Sequence, residues 1–130
     1  MADMKAVSGI LYVVKDLDRT VSFYELLGFD FKDRADNYAI GYLNWFWLEF
    51  VPQEKVEQST FKHHIHLRNE ATEGDTFLHM SVDNVDEYYK ELVDKGLKPA
   101  STPKDFPWGR REFILKDPDG YKLVFFKKLK

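Results

Sequence analysis

Val14-Lys15-Asp16-Leu17-Asp18 returns about 68 residues later as Val82-Asp83-Asn84-Val85-Asp86, and this recurrence decides the fold, because internal repetition fixes an architecture before any single residue does. Gly28-Phe29 returns at the same offset as Gly96-Leu97. In each copy an alternating apolar run, Gly9 to Val14 or Phe77 to Val82, reaches a short polar residue suited to capping a helix. An amphipathic stretch follows, with Leu17, Val21 and Tyr24 along one face of the first copy, and a glycine stops it. The chain reads as a duplicated strand–helix–strand unit.

Outward from that pair, the first copy predicts a strand near Ala6 to Val14, a helix from Leu17 to Leu27, and strands near Phe29 to Arg34, Tyr38 to Leu43 and Trp45 to Val51. Ala35-Asp36-Asn37 supplies the turn between the first two of these last three. Pro52 opens a polar connection through Asp75, inside which Phe61 to Arg68 reads as a brief edge strand or a crossing segment. The second copy predicts a helix from Val85 to Lys95, a strand over Leu97 to Ser101, and an irregular loop from Thr102 to Gly109 that carries Phe106 and Trp108. Strands near Arg111 to Lys116 and Tyr121 to Lys127 flank Asp117-Pro118-Asp119-Gly120, a type I turn by its Pro and Gly placement. The class is α+β: two tandem β-α-β-β-β modules, about 1–58 and 70–130, joined by a polar linker within one domain.

Composition narrows the partners. The chain has 130 residues, 44% hydrophobic and 16% aromatic, enough for one sizeable core. Its net charge of −3, with both signs interspersed, leaves no footprint for nucleic acid or an anionic membrane. The absence of cysteine removes disulfides, thiolate nucleophiles and Cys-ligated zinc. The start, Met1-Ala2-Asp3-Met4-Lys5, has no signal-like apolar region, and no apolar run reaches membrane-spanning length. A soluble cytoplasmic protein is expected.

Strand alternation then separates two faces. Ile10, Tyr12, Val14, Phe46, Leu48, Phe50, Leu78, Met80, Val82, Leu123 and Phe125 form an apolar face on which helices pack. The opposite face is mixed: Gly9, Leu11, Val13, then Trp45, Trp47, Glu49, Val51, then Phe77, His79, Ser81, then Lys122, Val124, Phe126. Aromatics beside isolated polar groups are the chemistry of a small-molecule cleft, and equally of a subunit interface. The two coincide if the cleft lies between subunits.

The order β-α-β-β-β twice, Val14 to Tyr24 with Gly28-Phe29, and Asp117-Pro118-Asp119-Gly120-Tyr121-Lys122-Leu123 resemble the vicinal-oxygen-chelate superfamily of glyoxalases, bleomycin-resistance proteins and dioxygenases. Pro107-Trp108-Gly109-Arg110-Arg111-Glu112-Phe113 is most similar to the bleomycin-resistance branch. The resemblance implies a curved mixed sheet around a cleft, helices on the outer face, and a homodimer whose subunits complete the clefts. It also implies where a divalent metal would sit, one side chain from the first and one from the last strand of each module. Those positions fall on Gly9, Glu49, Phe77 and Val124, of which only Glu49 has a donor side chain. No cofactor is therefore expected, the alternative being a divalent metal held by an unusual set such as Glu49, His79 and a linker histidine.

His79 shares the mixed face with Phe77, two residues away, and is weighed as an acid–base partner for Glu49 across the sheet. His64 and His66 would share a strand face in His-x-His style, but Lys62 and Arg68 stand on the same face and oppose a bound cation. Glu49 beside Trp47 is the residue that attracts a cation twice, by charge and by the ring quadrupole. The predicted ligand-binding set is Trp45, Trp47, Glu49, Phe77, His79, Trp108, Val124 and Phe126, with no catalytic and no metal residue. The function expected is metal-free sequestration of an apolar, cationic or aromatic small molecule; the alternative is a metal-dependent enzyme of the same superfamily.

Overall fold

Asp16 and Asn84 stand at matching positions of the repeat, and each caps a helix in the same way. Asp16 Oδ1 accepts from the Arg19 amide at 3.1 Å, and Asn84 Oδ1 accepts from the Glu87 amide at 3.0 Å. The helices α1 (Leu17–Leu27) and α2 (Val85–Asp94) follow. Both also end alike. Gly28 and Gly96 adopt positive φ, 106° and 88°, which an L side chain resists. Their amides donate to Glu25 and Val93, while the next amides, of Phe29 and Leu97, reach back to Tyr24 and Leu92. This paired 6→1 and 5→2 closure satisfies the last carbonyls of each helix.

In the computed structural model, which describes residues 2–67 and 76–130, the chain divides into two compact units, Met1–Leu67 and Arg68–Lys130. The first unit holds β1 (Gly9–Val14), β2 (Asp30–Arg34), β3 (Ala39–Leu43) and β4 (Phe46–Pro52), in sheet order β1-β4-β3-β2. The second holds β5 (Phe77–Ser81), β6 (Lys104–Phe106), β7 (Arg110–Lys116) and β8 (Lys122–Lys128), in order β5-β8-β7-β6. Each unit pairs its first strand parallel to its last and all others antiparallel. The architecture is α+β, as expected, with one four-stranded mixed sheet in each unit.

The apolar faces are where the alternation puts them. In the first unit Tyr12, Val14, Leu48 and Phe50 are buried beneath Leu17, Val21, Tyr24 and Leu27 of α1. Tyr24 is the hub, its ring 4.8 Å from Phe50 and 5.6 Å from Phe29. In the second unit Phe113, Leu115, Leu123 and Phe125 are buried with Val85 and Leu92 of α2. Tyr88 packs 5.0 Å from Phe125, and burial pushes its hydroxyl up to about 12. Asymmetric ion pairs tie each helix start to its sheet: Arg34 to Asp18 at 3.0 Å, and Arg111 to Asp86 at 2.8 Å and Asp105 at 3.0 Å.

Three expectations about the connections need correction. Leu97 to Ser101 is not a strand: Pro99 removes a donor, and the segment meets β7 through isolated bonds, Ala100 to the Ile114 carbonyl and Ile114 to Ser101 Oγ, rather than a ladder. The edge strand is instead Lys104–Phe106, inside what reads as loop, and Phe106-Pro107-Trp108-Gly109 closes a tight hairpin to β7 with Gly109 at φ 85°. Phe61 to Arg68 is not an edge strand over its described part. Gln53–Gln58 and Lys62–His64 are 3₁₀ turns, closed by bonds such as His64 to the Phe61 carbonyl at 2.8 Å. His64 and His66 consequently do not share a strand face, while Arg68 and the connection through Asp75 lie outside the described residues.

Candidate functional site

The mixed face of the first unit is built by register. Gly9 pairs with Trp47, and Trp47 with Tyr42; Leu11 pairs with Glu49, Glu49 with Ile40, and Ile40 with Asp33. Gly9 matters because of what lies on it. A Cβ there would stand 2.3 Å from Trp47 Nε1 and within 2.6 Å of two further indole atoms. The Trp47 ring thus lies over Gly9 of β1, and Tyr42 flanks it at 6.2 Å.

Glu49 sits one row along, half-buried, beside this aromatic floor. Burial raises its carboxyl above the ordinary range, and the nearby Asp33 carboxylate raises it further. Tyr38 donates its hydroxyl proton to Asp33 Oδ1 at 2.5 Å. That bond, with the charge of Asp33 and lesser contributions from burial and Glu49, raises the Tyr38 hydroxyl as well. The face therefore carries two carboxylates without a described cation partner, an arrangement that favours a bound cation over an anion. Asp33 and Tyr38 are not in the predicted set. Alternation does carry the signal for Asp33: the Ala35-Asp36-Asn37 turn, closed by Ala35 donating to the Tyr38 carbonyl at 2.9 Å, sets Asp33 opposite Ile40 and so on the face of Glu49.

The second unit's mixed face runs in three rows: Glu112, Phe126 and Ser81; Ile114, Val124 and His79; Lys116, Lys122 and Phe77. Two of its cations lie over rings. Arg110 lies 5.1 Å above Phe126, and Lys122 lies 4.9 Å above Phe77. His79 meets Phe126 edge-on at 6.1 Å.

The predicted residues are not equally placed. Trp47, Glu49, Phe77, His79 and Phe126 stand on the mixed faces as expected. Trp45 does not: β4 starts at Phe46, and Trp45 is 72% exposed in the turn that Asn44 makes at φ 56°. Trp108 belongs to the β6–β7 hairpin, 59% exposed and stacked on Phe106 at 4.6 Å. Val124 is 3% exposed and forms the floor of its sheet rather than a wall. Glu49 and His79 belong to different sheets, so no sheet register joins them. Hollows within the units lie beside the helix starts. One, of about 590 Å³, is lined by Lys15, Asp16, Asp36 and Lys55, and another, of about 210 Å³, by Asn84, Asp86 and Arg111; both have charged, ring-free walls.

A family model for the glyoxalase/bleomycin resistance protein/dioxygenase superfamily matches residues 7–125. The chain belongs to that superfamily. A bleomycin resistance protein from Geobacillus stearothermophilus is 24% identical over 125 residues, covering 90% of this chain and 92% of that one. A glyoxalase/bleomycin resistance protein/dioxygenase from Nocardioides superposes with a TM-score of 0.83 at 21% identity, over 100% of this chain and 87% of the other. Lactoylglutathione lyase from Agrobacterium tumefaciens superposes at 0.74 with 15% identity, over 96% and 95%. A resistance protein and a lyase share this fold, so activity must be argued from the residues.

Those residues do not fit the superfamily's metal. Gly9 lacks a donor and lies under an indole, while Phe77 and Val124 offer none. Among the described residues no group of three or more His, Asp or Glu side chains is gathered to hold an ion. Nor is any helix among them long and apolar enough to cross a membrane.

Proposed function

We propose that this chain is a metal-free binding protein that sequesters an apolar, cationic aromatic small molecule, with Trp47 and Glu49 of the first unit as its principal contacts. The observation that carries the proposal is the Trp47 indole laid over Gly9 with Glu49 beside it. That ring fills the place of a metal ligand and offers an aromatic platform next to a half-buried carboxylate. Cation–π contact with such a platform is worth about 0.5–2 kcal/mol, and a charge-assisted hydrogen bond to Glu49 about 1.5–3 kcal/mol. Similarity to bleomycin resistance proteins supports the same class of ligand. A homodimer, with a second copy completing the cleft, and a cytoplasmic location belong to this proposal.

Indole fluorescence quenching against cationic, neutral and anionic aromatics tests it. Trp47→Ala weakens every ligand, and Glu49→Gln weakens the cations selectively. EDTA leaves Tm unchanged, since no bound ion contributes to stability. A Tm lost with EDTA and restored by Zn, Mn, Ni or Fe ions would replace this reading with the metal-dependent enzyme. Light scattering at twice the 15.4 kDa chain mass checks the dimer.

A further inference from the structure

Glu112 stands on β7 beside Phe126, on the mixed face of the second unit, and is not among the predicted or proposed contacts. The register places Lys104 on one side of it and Phe126 on the other, with Ser81 beyond Phe126. Its Oε2 atom is buried and has no hydrogen-bond partner among the described residues. Lys104, its cross-strand neighbour, makes no bond to Oε2, and the two neighbouring guanidinium groups are engaged elsewhere. Arg110, two residues before it, covers the Phe126 ring, and Arg111 is held by Asp86 and Asp105. A buried carboxylate oxygen without a donor bears its full desolvation penalty, and native proteins meet such an atom with a ligand, an ion or an ordered water. The rings around it favour an organic occupant. Phe126 is its direct cross-strand neighbour, His79 touches Phe126, and Phe106, paired with Arg110, carries the stacked Trp108.

We propose that Glu112 is an acidic anchor in the second unit, accepting a hydrogen bond from an amidinium or ammonium N–H of an aromatic ligand whose ring rests beside Phe126. This rests on the binding function proposed above and adds a contact that none of the superfamily's ligand positions supplies. It also fixes two signs. Glu112→Gln keeps the shape and breaks no internal bond to Oε2, so the ligand-free protein keeps or gains Tm. The same change removes the charge-assisted acceptor, so the ligand binds more weakly. An internal partner, such as Arg110 leaving Phe126 to pair with Glu112, makes the first sign negative.

Benzamidinium, benzamide and benzoate titrated into the full chain and into Glu112→Gln provide the test, followed through the backbone amide shifts around Glu49 and around Phe126, with thermal melts alongside. The expected result has three parts. Benzamidinium moves the Phe126 and Glu112 amides of the unaltered protein; Glu112→Gln weakens that binding by about tenfold or more; and Tm of the free variant does not fall. Benzamidinium that moves only the amides around Glu49, equal binding beside Phe126 in both proteins, or a lowered Tm overturns the role of Glu112 and leaves the Glu49 platform standing. No shift anywhere at millimolar benzamidinium overturns both.

Discussion

Gly9→Ala tests the contact with the Trp47 indole on which the proposed metal-free site rests. The added Cβ would meet three indole atoms of Trp47 at 2.3, 2.5 and 2.6 Å, whereas carbon pairs settle at about 3.5–4.0 Å. The ring must retreat by about 1 Å. Sliding the strands cannot relieve it, because β1 and β4 are paired in continuous register from Gly9↔Trp47 to Val14↔Pro52. Overpacking of this kind costs about 1–3 kcal/mol, which at this chain length lowers Tm by about 3–5 °C for each kcal/mol. The sign should reverse when the indole is gone. In a Trp47→Ala background the same Gly9→Ala change meets no ring, and replacing a strand glycine then gains about 0.5–1 kcal/mol of backbone entropy. Urea unfolding of the four proteins gives the coupling directly, and the cross term should match the overpacking cost. If Gly9→Ala destabilises equally with and without Trp47, the ring is not lying on Gly9 and the account of the filled metal position fails.

Removing either cap, by Asp16→Ala or Asn84→Ala, should cost about 1 kcal/mol in chemical unfolding, and nearly the same amount at both because the cap geometry repeats. Glu49 has its carboxyl raised by burial and by Asp33, so its ionisation disfavours the folded state as pH rises through the raised value. Glu49→Gln should therefore raise Tm at neutral pH, with no gain below the ordinary carboxylate range, and cation binding by the unaltered protein should fall as pH drops through that raised value. Asp86 has its carboxyl lowered by the Arg111 guanidinium, so its contribution is present above the ordinary aspartate value and disappears as pH falls through the lowered one. Arg111→Met should lower Tm at neutral pH and low salt, and less so in molar salt or strong acid.

Most of the framework was legible because it is a local and repeated problem. Asp16 with Gly28 bounds α1 at Leu17–Leu27, and Asn84 with Gly96 brackets α2 over Val85–Asp94, one residue short of the expectation. Strict alternation sorted Leu48 and Phe50 from Trp47 and Glu49. The misplacements fall where a strand is short or depends on a distant partner. Lys104–Phe106 has too little alternation to be seen, and it becomes a strand because the hairpin at Gly109 aligns it with β7 and because Asp105 meets the Arg111 guanidinium from across the pair. The candidate site was harder. Composition marks Trp47 and Glu49 as a pair, yet nothing in it says that the indole lies over Gly9 or that the Asp33 carboxylate stands in Glu49's row.

The divergence of the two copies is itself informative about function. Caps, glycine closures, strand order and the aromatic packing beneath each helix are common to both, since each solves the same problem of covering one face of a four-stranded sheet. The faces turned away from the helices share no such problem, and they have separated in chemistry. One carries Asp33 and Glu49 beside the indole that covers Gly9; the other carries Arg110 and Lys122 on phenylalanine rings, with Glu112 as its carboxylate. Had these faces served only to pack against something generic, aliphatic residues would meet the need without the desolvation cost of Glu49 or of the unpartnered Glu112 oxygen. Proteins keep such costs where a bound group offsets them, so the two carboxylates are where a ligand's positive charge is to be sought.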